Sequence, residues 1–161
     1  MPASHDAVVT PVSVRDGGVA ALVDALTAEL AESEYAEDET FGYSADQLEA
    51  SGVHLVGARV DGELVGIGGV ELQVDGYAEL KRMYVVPTHR GSGVADAIMD
   101  ALVGHARAHG ATTLRLETGD KQHAAIGYYS RHGFAVVDGF PPYEDSATSV
   151  CMARALRGEG A

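Results

Sequence analysis

The sequence predicts a single α+β (mixed α/β) domain, and three observations lead there. Apolar residues recur at helical spacing in some stretches and alternate in others, so helices and strands share the chain. Residues 53–86 keep a period of two and carry Asp-Gly at 61–62 and 75–76, the strongest short signal for hairpins. No fixed-period repeat or low-complexity segment divides the 161 residues, a length that suits one domain (1–161) with its own core.

Residues 8–14 alternate well enough for a first strand. Val19, Leu22, Val23, Leu26 and Leu30 then repeat at helical spacing, which predicts an amphipathic helix over 19–31. ESEYAEDET (32–40), followed by Phe41 and Tyr43, is a dense acidic segment that reads as a solvated loop or as a loop facing substrate. Ser44 with Gln47 resembles a capping box at the start of a short helix. HLVGARV, ELVGIGGVELQV and YAELKRMYV form an antiparallel meander joined by the two Asp-Gly turns. A helix follows to residue 109 and is stopped by Gly110. TTLRLET (112–118) is a strand, 123–131 a helix closed by Gly133, and FAVV (134–137) and TSVCMARAL (148–156) are the last strands. Strands and helices in this order give an α+β or mixed-sheet arrangement.

Composition excludes several functions. A net charge of −13 leaves no basic excess to displace counterions from phosphates, which argues against nucleic acid and favours a cationic partner. The single Cys151 rules out an intramolecular disulfide framework and a cysteine-based metal knuckle, and fits a reducing compartment. MPASHDAVV has no basic segment leading into an apolar one, and no apolar run is long enough to span a bilayer. The expectation is a soluble, cytoplasmic protein without a membrane partner.

The most informative stretch is VVPTHRGSGVADAIMDAL (85–102), a strand that turns into a helix across Gly91, Ser92 and Gly93. A helix N-terminus carries unpaired N–H groups and partial positive charge, so it can bind an anion; the glycines allow close approach and Arg90 can add a charged donor. Lys81, Arg82 and His89 make residues 81–90 locally basic in an acidic chain. Val94 stands where a P-loop needs lysine, and Asp96 where a dinucleotide fingerprint needs its third glycine. On these residues alone a loosened turn before an ordinary helix and an anion site both remain open.

Arg90-Gly-Ser-Gly93-Val-Ala95 resembles the R/Q-x-x-G-x-G/A motif of the GNAT superfamily of acetyl-CoA-dependent N-acetyltransferases. The preceding MYVVP and the later AAIGYYSRHGF (124–134), similar to the family's A-I-x-x-Y-x-x-x-G-F block, extend the match over 53–156. The resemblance implies a mostly antiparallel mixed sheet of about seven strands with about four helices, splayed between the strands at 78–86 and 112–118. Acetyl-CoA would lie in the gap, its pantetheine pairing with the backbone of Met83, Tyr84 and Val85. Its pyrophosphate would meet the N–H groups of Gly91, Ser92, Gly93, Val94 and Ala95, beside Arg90. Gln122 replaces the asparagine that many members carry three residues before the position of Ala125, keeping an amide with a longer reach. Asp96 is expected to point away from the phosphates.

The same resemblance assigns Tyr129 as the general acid for the leaving thiolate, and Glu79, six residues before Val85, as the base that takes the amine proton through water. Glu34, Glu37 and Tyr143 are further candidates for an acceptor pocket. His105 and His109 are spaced i, i+4 but lack the glutamate of a metalloprotease motif and a third ligand; they share a face with Val94, Ile98, Ala101 and Leu102, so they read as packing histidines and no metal is expected. Cys151 reads as a small hydrophobe rather than an acetyl carrier. The expected activity is direct transfer from acetyl-CoA to a primary amine of a small molecule or peptide in a ternary complex; the alternative is an idle acyl-CoA-binding or sensing module. The acidic balance favours a cationic acceptor, although Lys81 and Arg82 suit an acceptor carboxylate, and the sequence allows a homodimer.

Overall fold

The structure, a computed structural model, describes residues 7–31 and 43–156. Within them the order is β1 (Val8–Pro11), α1 (Val19–Ala31), α2 (Ala45–Ala50), β2 (His54–Val60), β3 (Glu63–Leu72), β4 (Tyr77–Val85), α3 (Val94–Ala108), β5 (Thr113–Gly119), α4 (His123–Arg131), β6 (Ala135–Val137) and β7 (Ser149–Ala155). Seven strands and four helices match the expected order element by element. No helix among the described residues is long and apolar enough to cross a membrane.

Local chemistry explains most of the boundaries. The Ser44 side chain accepts from the Gln47 N–H at 3.2 Å and the Gln47 side chain accepts from the Ser44 N–H at 2.8 Å, a complete capping box. Both Asp-Gly turns place two successive residues at positive φ, 52° and 83° at Asp61 and Gly62, and 61° and 81° at Asp75 and Gly76. That backbone twist matches the strands it joins. β1 stops at Pro11, short of the expected residue 14, because proline brings no N–H to the ladder; the chain still touches β2 through Val12 N–H to Leu55 O at 2.9 Å.

The sheet runs β1-β2-β3-β4-β5-β7-β6, antiparallel throughout except between β4 and β5. On one face α3 buries Val94, Ile98, Met99, Leu102 and Ala106 against sheet residues that include Val56, Leu80, Leu114 and Met152. On the other, Val19, Val23 and Leu26 of α1 and Leu48 of α2 cover Leu55, Ile67 and Tyr84. α3 lies directly on the β3 backbone: a Cβ at Gly68 would come within 2.6 Å of Ile98 Cγ2, and one at Gly66 within 2.8 Å of Ile98 Cδ1. The GIGG run of β3 is thus a seat for α3.

A bulge interrupts β4. Ile67 pairs with Tyr84 and Gly69 with Lys81, so Gly68 alone faces both Arg82 and Met83, and Arg82 takes φ 53°. The extra residue sends two consecutive cations, Lys81 and Arg82, to the side covered by α1 and α2. Arg82 Nη2 donates to Val23 O at 3.0 Å and to the Thr27 hydroxyl, and burial lowers its pKa.

Candidate active site

β4 and β5 separate after three parallel pairs, Tyr77↔Thr113, Ala78↔Leu114 and Glu79↔Arg115. Beyond them β4 continues along β3 as far as Val85, and β5 follows β7 as far as Gly119. The expected splay is therefore present, and the backbone of Met83, Tyr84 and Val85 borders it without a strand on that side. Such an edge can accept an extended chain as an added strand, which is the fit that pantetheine needs.

The glycine junction opens at the C-terminal end of β4. Gly93 is the α3 N-cap at φ 93°, ψ −3°, with no side-chain cap, and Gly91 has φ 77°. A Cβ at either position would meet nothing within 4 Å, so what the glycines leave is open surface rather than internal packing. The N–H groups of Gly91, Ser92, Gly93, Val94 and Ala95 find no acceptor among the described residues. Unpaired donors around a helix N-terminus with room in front of them suit a pyrophosphate.

The charged side chains of the segment are placed differently from the sequence reading. Lys81 and Arg82 are buried on the α1 and α2 side and already paired, so the basic run 81–90 does not deliver its charge to the junction; the bulge is the reason. Arg90 is turned toward Val85 O (Nε, 2.8 Å) and Glu29 Oε1 (Nη2, 2.8 Å), with its guanidinium over the Tyr84 ring at 5.3 Å. The Glu29 pair is exposed, so releasing it toward a phosphate costs little. Gln122 is the N-cap residue of α4, just past the end of β5, and its side chain makes no capping bond.

Tyr129 on α4 packs edge-on against Phe134 at 5.6 Å and against Tyr128 at 5.6 Å. Its ring keeps some surface, yet the phenol is set among protein atoms, and that burial pushes its pKa up to about 12. The group therefore keeps its proton at neutral pH. Its hydroxyl has no hydrogen-bond partner among the described residues.

A polar cluster lines the opposite face of the sheet where β4 and β5 part. Glu79 is 2 % exposed and accepts from Gln73 Nε2 (2.8 Å), Lys81 Nζ (3.0 Å) and the Tyr143 hydroxyl (2.6 Å). Lys81 Nζ also lies 3.8 Å from Glu71 and 4.2 Å from the centre of the Tyr43 ring. Arg115 donates twice to Gln73 Oε1 and is sandwiched between the rings of Tyr77 (4.0 Å) and Phe140 (4.1 Å). Glu117, two residues on along β5, accepts from Ser149 Oγ at 2.6 Å. Burial, then the charge of Glu79, pushes the Glu117 carboxyl above the ordinary carboxylate range despite the Ser149 bond.

Sequence reading missed Glu117. The available signal was alternation: in TTLRLET, Leu114 and Leu116 point into the core while Arg115 and Glu117 share the face of Glu79. Tyr143 joins the cluster as suggested, whereas Glu34 and Glu37 lie outside the described residues. Cys151 is buried against Phe140 and Tyr143, and burial pushes its thiol up, which keeps it protonated. Of the two helix histidines, His105 is half-buried and stacks on His54 with ring centres 3.6 Å apart; His109, at the end of α3, is exposed but rests its ring on His105 with centres 4.1 Å apart.

Comparison with known proteins agrees with this geometry. The profile of the acetyltransferase (GNAT) family matches residues 20–134. An IAA acetyltransferase of Azospirillum brasilense is 36 % identical over 105 residues, covering 65 % of this chain and 69 % of that one. A Klebsiella pneumoniae structure proposed to be an acyl-CoA N-acyltransferase superposes with TM-score 0.80 at 33 % identity, covering 94 % of this chain and 98 % of the other. The PaiA N-acetyltransferase of Thermoplasma acidophilum, solved in complex with coenzyme A, shares the fold at TM-score 0.74 and 17 % identity, over 93 % and 99 % of the two chains.

Proposed function

Because the chain belongs to the GNAT family of acetyl-CoA-dependent acyltransferases, we propose that it transfers acetyl directly to a primary amine of a small molecule or peptide in a ternary complex. The observation that carries the reading is the opening between β4 and β5. It is bordered by a glycine cradle and by backbone that, like the tyrosine hydroxyl on α4, has no partner there among the described residues, and carboxylates stand on the two strands that part.

Bound acetyl-CoA supplies an acetyl thioester, whose C–S bond breaks as the acceptor's N–C bond forms. In this reading the N–H groups of Gly91 to Ala95 hold the pyrophosphate, with Arg90 released from Glu29 and the Gln122 amide nearby, while Met83 to Val85 pair with pantetheine. Tyr129 donates its proton to the departing sulfur. Glu117 takes the amine proton, directly or through water, because burial raises its carboxyl pKa and, among the described residues, only Ser149 donates to it. Glu79, the base expected from the resemblance, already receives three donors, and we assign it to holding Lys81 and Tyr143 in place. Three carboxylates, Glu71, Glu79 and Glu117, stand around Lys81 and favour an acceptor that arrives as a cation.

Thiol release from acetyl-CoA across a panel of primary amines tests the proposal, with the N-acetyl product identified by mass. Amine-dependent release with a matching product supports it. Tight acetyl-CoA binding without turnover on any amine would mean an idle acyl-CoA-binding module instead.

A further inference from the structure

Asp96 sits one residue beyond Ala95, the last N–H of the cradle, and Tyr128 sits one residue before Tyr129. The two are joined. Asp96 Oδ1 accepts from the Tyr128 hydroxyl at 2.9 Å and lies 3.0 Å from His132 Nε2, while His132 Nδ1 lies 2.9 Å from Tyr128 O. Both partners of the imidazole are acceptors, so the ring makes both bonds only as the imidazolium. The Tyr128 and His132 rings stack with centres 4.1 Å apart, and burial followed by the Asp96 bond raises the Tyr128 phenol well above its usual range. One carboxylate oxygen therefore gathers two side chains from the neighbouring helix.

The rest of the packing gives this contact its importance. α3 is seated firmly, with Ile98 and Leu102 against the glycines of β3. α4 buries no residue completely; among the described residues it is held through Tyr129 and Phe134, through half-buried neighbours, and through this side-chain clasp. Asp96 is also an awkward residue to keep there for phosphate binding alone, since a carboxylate one position from the cradle repels the anion that the cradle holds.

We propose that Asp96 is a positioning residue: by clasping Tyr128 and His132 it sets the distance between the pyrophosphate cradle on α3 and the Tyr129 hydroxyl on α4. This rests on the roles proposed above for the cradle and Tyr129. Misplacing a catalytic group by about 1 Å can cost roughly a hundredfold in rate, so a clasp between the helices that carry the two halves of the site acts on turnover rather than on binding.

The test compares Asp96→Ala, Asp96→Asn and Tyr128→Phe with the parent, measuring CoA affinity by calorimetry and turnover on the best acceptor. Parent binding of CoA checks the cradle independently: if the parent fails to bind, the cradle assignment falls before the clasp is tested. Asp96→Ala is expected to lose roughly ten- to a hundredfold in kcat, with CoA bound as tightly as before or more tightly because a negative charge has gone. Asp96→Asn keeps an acceptor oxygen and should restore most of the turnover. Tyr128→Phe keeps the ring and its stacking while deleting one bond, and should fall between the two; it also decides the matter if Asp96→Ala does not fold. Parent-like kcat in a folded Asp96→Ala or in Tyr128→Phe would overturn the proposal. So would a loss of CoA affinity equal to the loss of kcat, which would make Asp96 part of the cradle.

Discussion

The Tyr143 hydroxyl donates a 2.6 Å hydrogen bond to Glu79 Oε2, tying the segment before β7 to the strand that borders the opening. Lys81 shares the same oxygen at 3.0 Å. All three groups are buried, and a buried charge that loses its partner is not easily rehydrated.

Glu79→Gln should therefore act on stability first. It leaves Glu71, at 3.8 Å, as the one carboxylate within ion-pair distance of Lys81 among the described residues, and breaking a buried pair typically costs about 3–5 kcal/mol. Tyr143→Phe removes the bond donated to Glu79 and the 3.3 Å bond accepted from Lys81, and should cost at least about 1.5–3 kcal/mol. Urea unfolding of both variants measures this. Parent-like stability in Glu79→Gln would show that the network is not holding the cluster together.

Glu117→Gln should act in the opposite sense on stability. Its folded pKa is raised above the unfolded value, so its favourable contribution is complete below the unfolded pKa and is lost as pH rises through the folded one. At pH 8 the parent carries a poorly solvated carboxylate and the glutamine variant does not, so the variant should melt higher. Its kcat should fall by about 10²-fold or more, with loss of the acid limb of the pH–rate profile. A retained acid limb would return the base role to Glu79 or to water.

Two glycine substitutions separate packing from ligand binding. Gly68→Ala puts a Cβ 2.6 Å from Ile98, which is fully buried, and should destabilise by about 1–3 kcal/mol. Gly93→Val meets no protein atom nearby, so it strains a backbone at φ 93° by about 1–2 kcal/mol while filling the space in front of the cradle. Calorimetry on the folded variant should show a large loss of CoA affinity. An unchanged dissociation constant would remove the pyrophosphate from this site.

The stacked His54 and His105 make stability depend on pH. Burial first, and neighbouring histidines second, lower both pKa values below 6.5. Each ring thus favours the folded state fully above the unfolded pKa of about 6.5. That contribution is lost as pH falls through the folded values. The parent's Tm should drop on acidification through this window, and His105→Gln should flatten the drop. An equally steep profile in the variant would place the acid sensitivity elsewhere.

Much of this molecule was legible before any coordinates. The helix over 19–31, the Ser44–Gln47 box and both Asp-Gly hairpins follow from local chemistry, and local chemistry is what a sequence prints. The glycine junction was legible as an open turn before a helix because positive φ and missing side chains are properties of the residues themselves. The destination of Lys81 and Arg82 was not, since one inserted residue in β4 reversed the expected alternation and turned both away from the junction. Glu117 and the Asp96 clasp were hidden for a related reason: each depends on which residues tertiary pairing brings across from another strand or helix.

Tyr129→Phe gives the most direct measurement, because it deletes one hydroxyl and keeps the ring that packs on Phe134. Its kcat on the best amine should fall toward the low end of the roughly 10²–10⁴-fold range for a lost general acid. A thiolate of pKa about 8.5 leaves tolerably well unprotonated. The KM for acetyl-CoA should hardly move. Full turnover in the phenylalanine variant would contradict the assignment, because the sulfur would then take its proton from another group or from water.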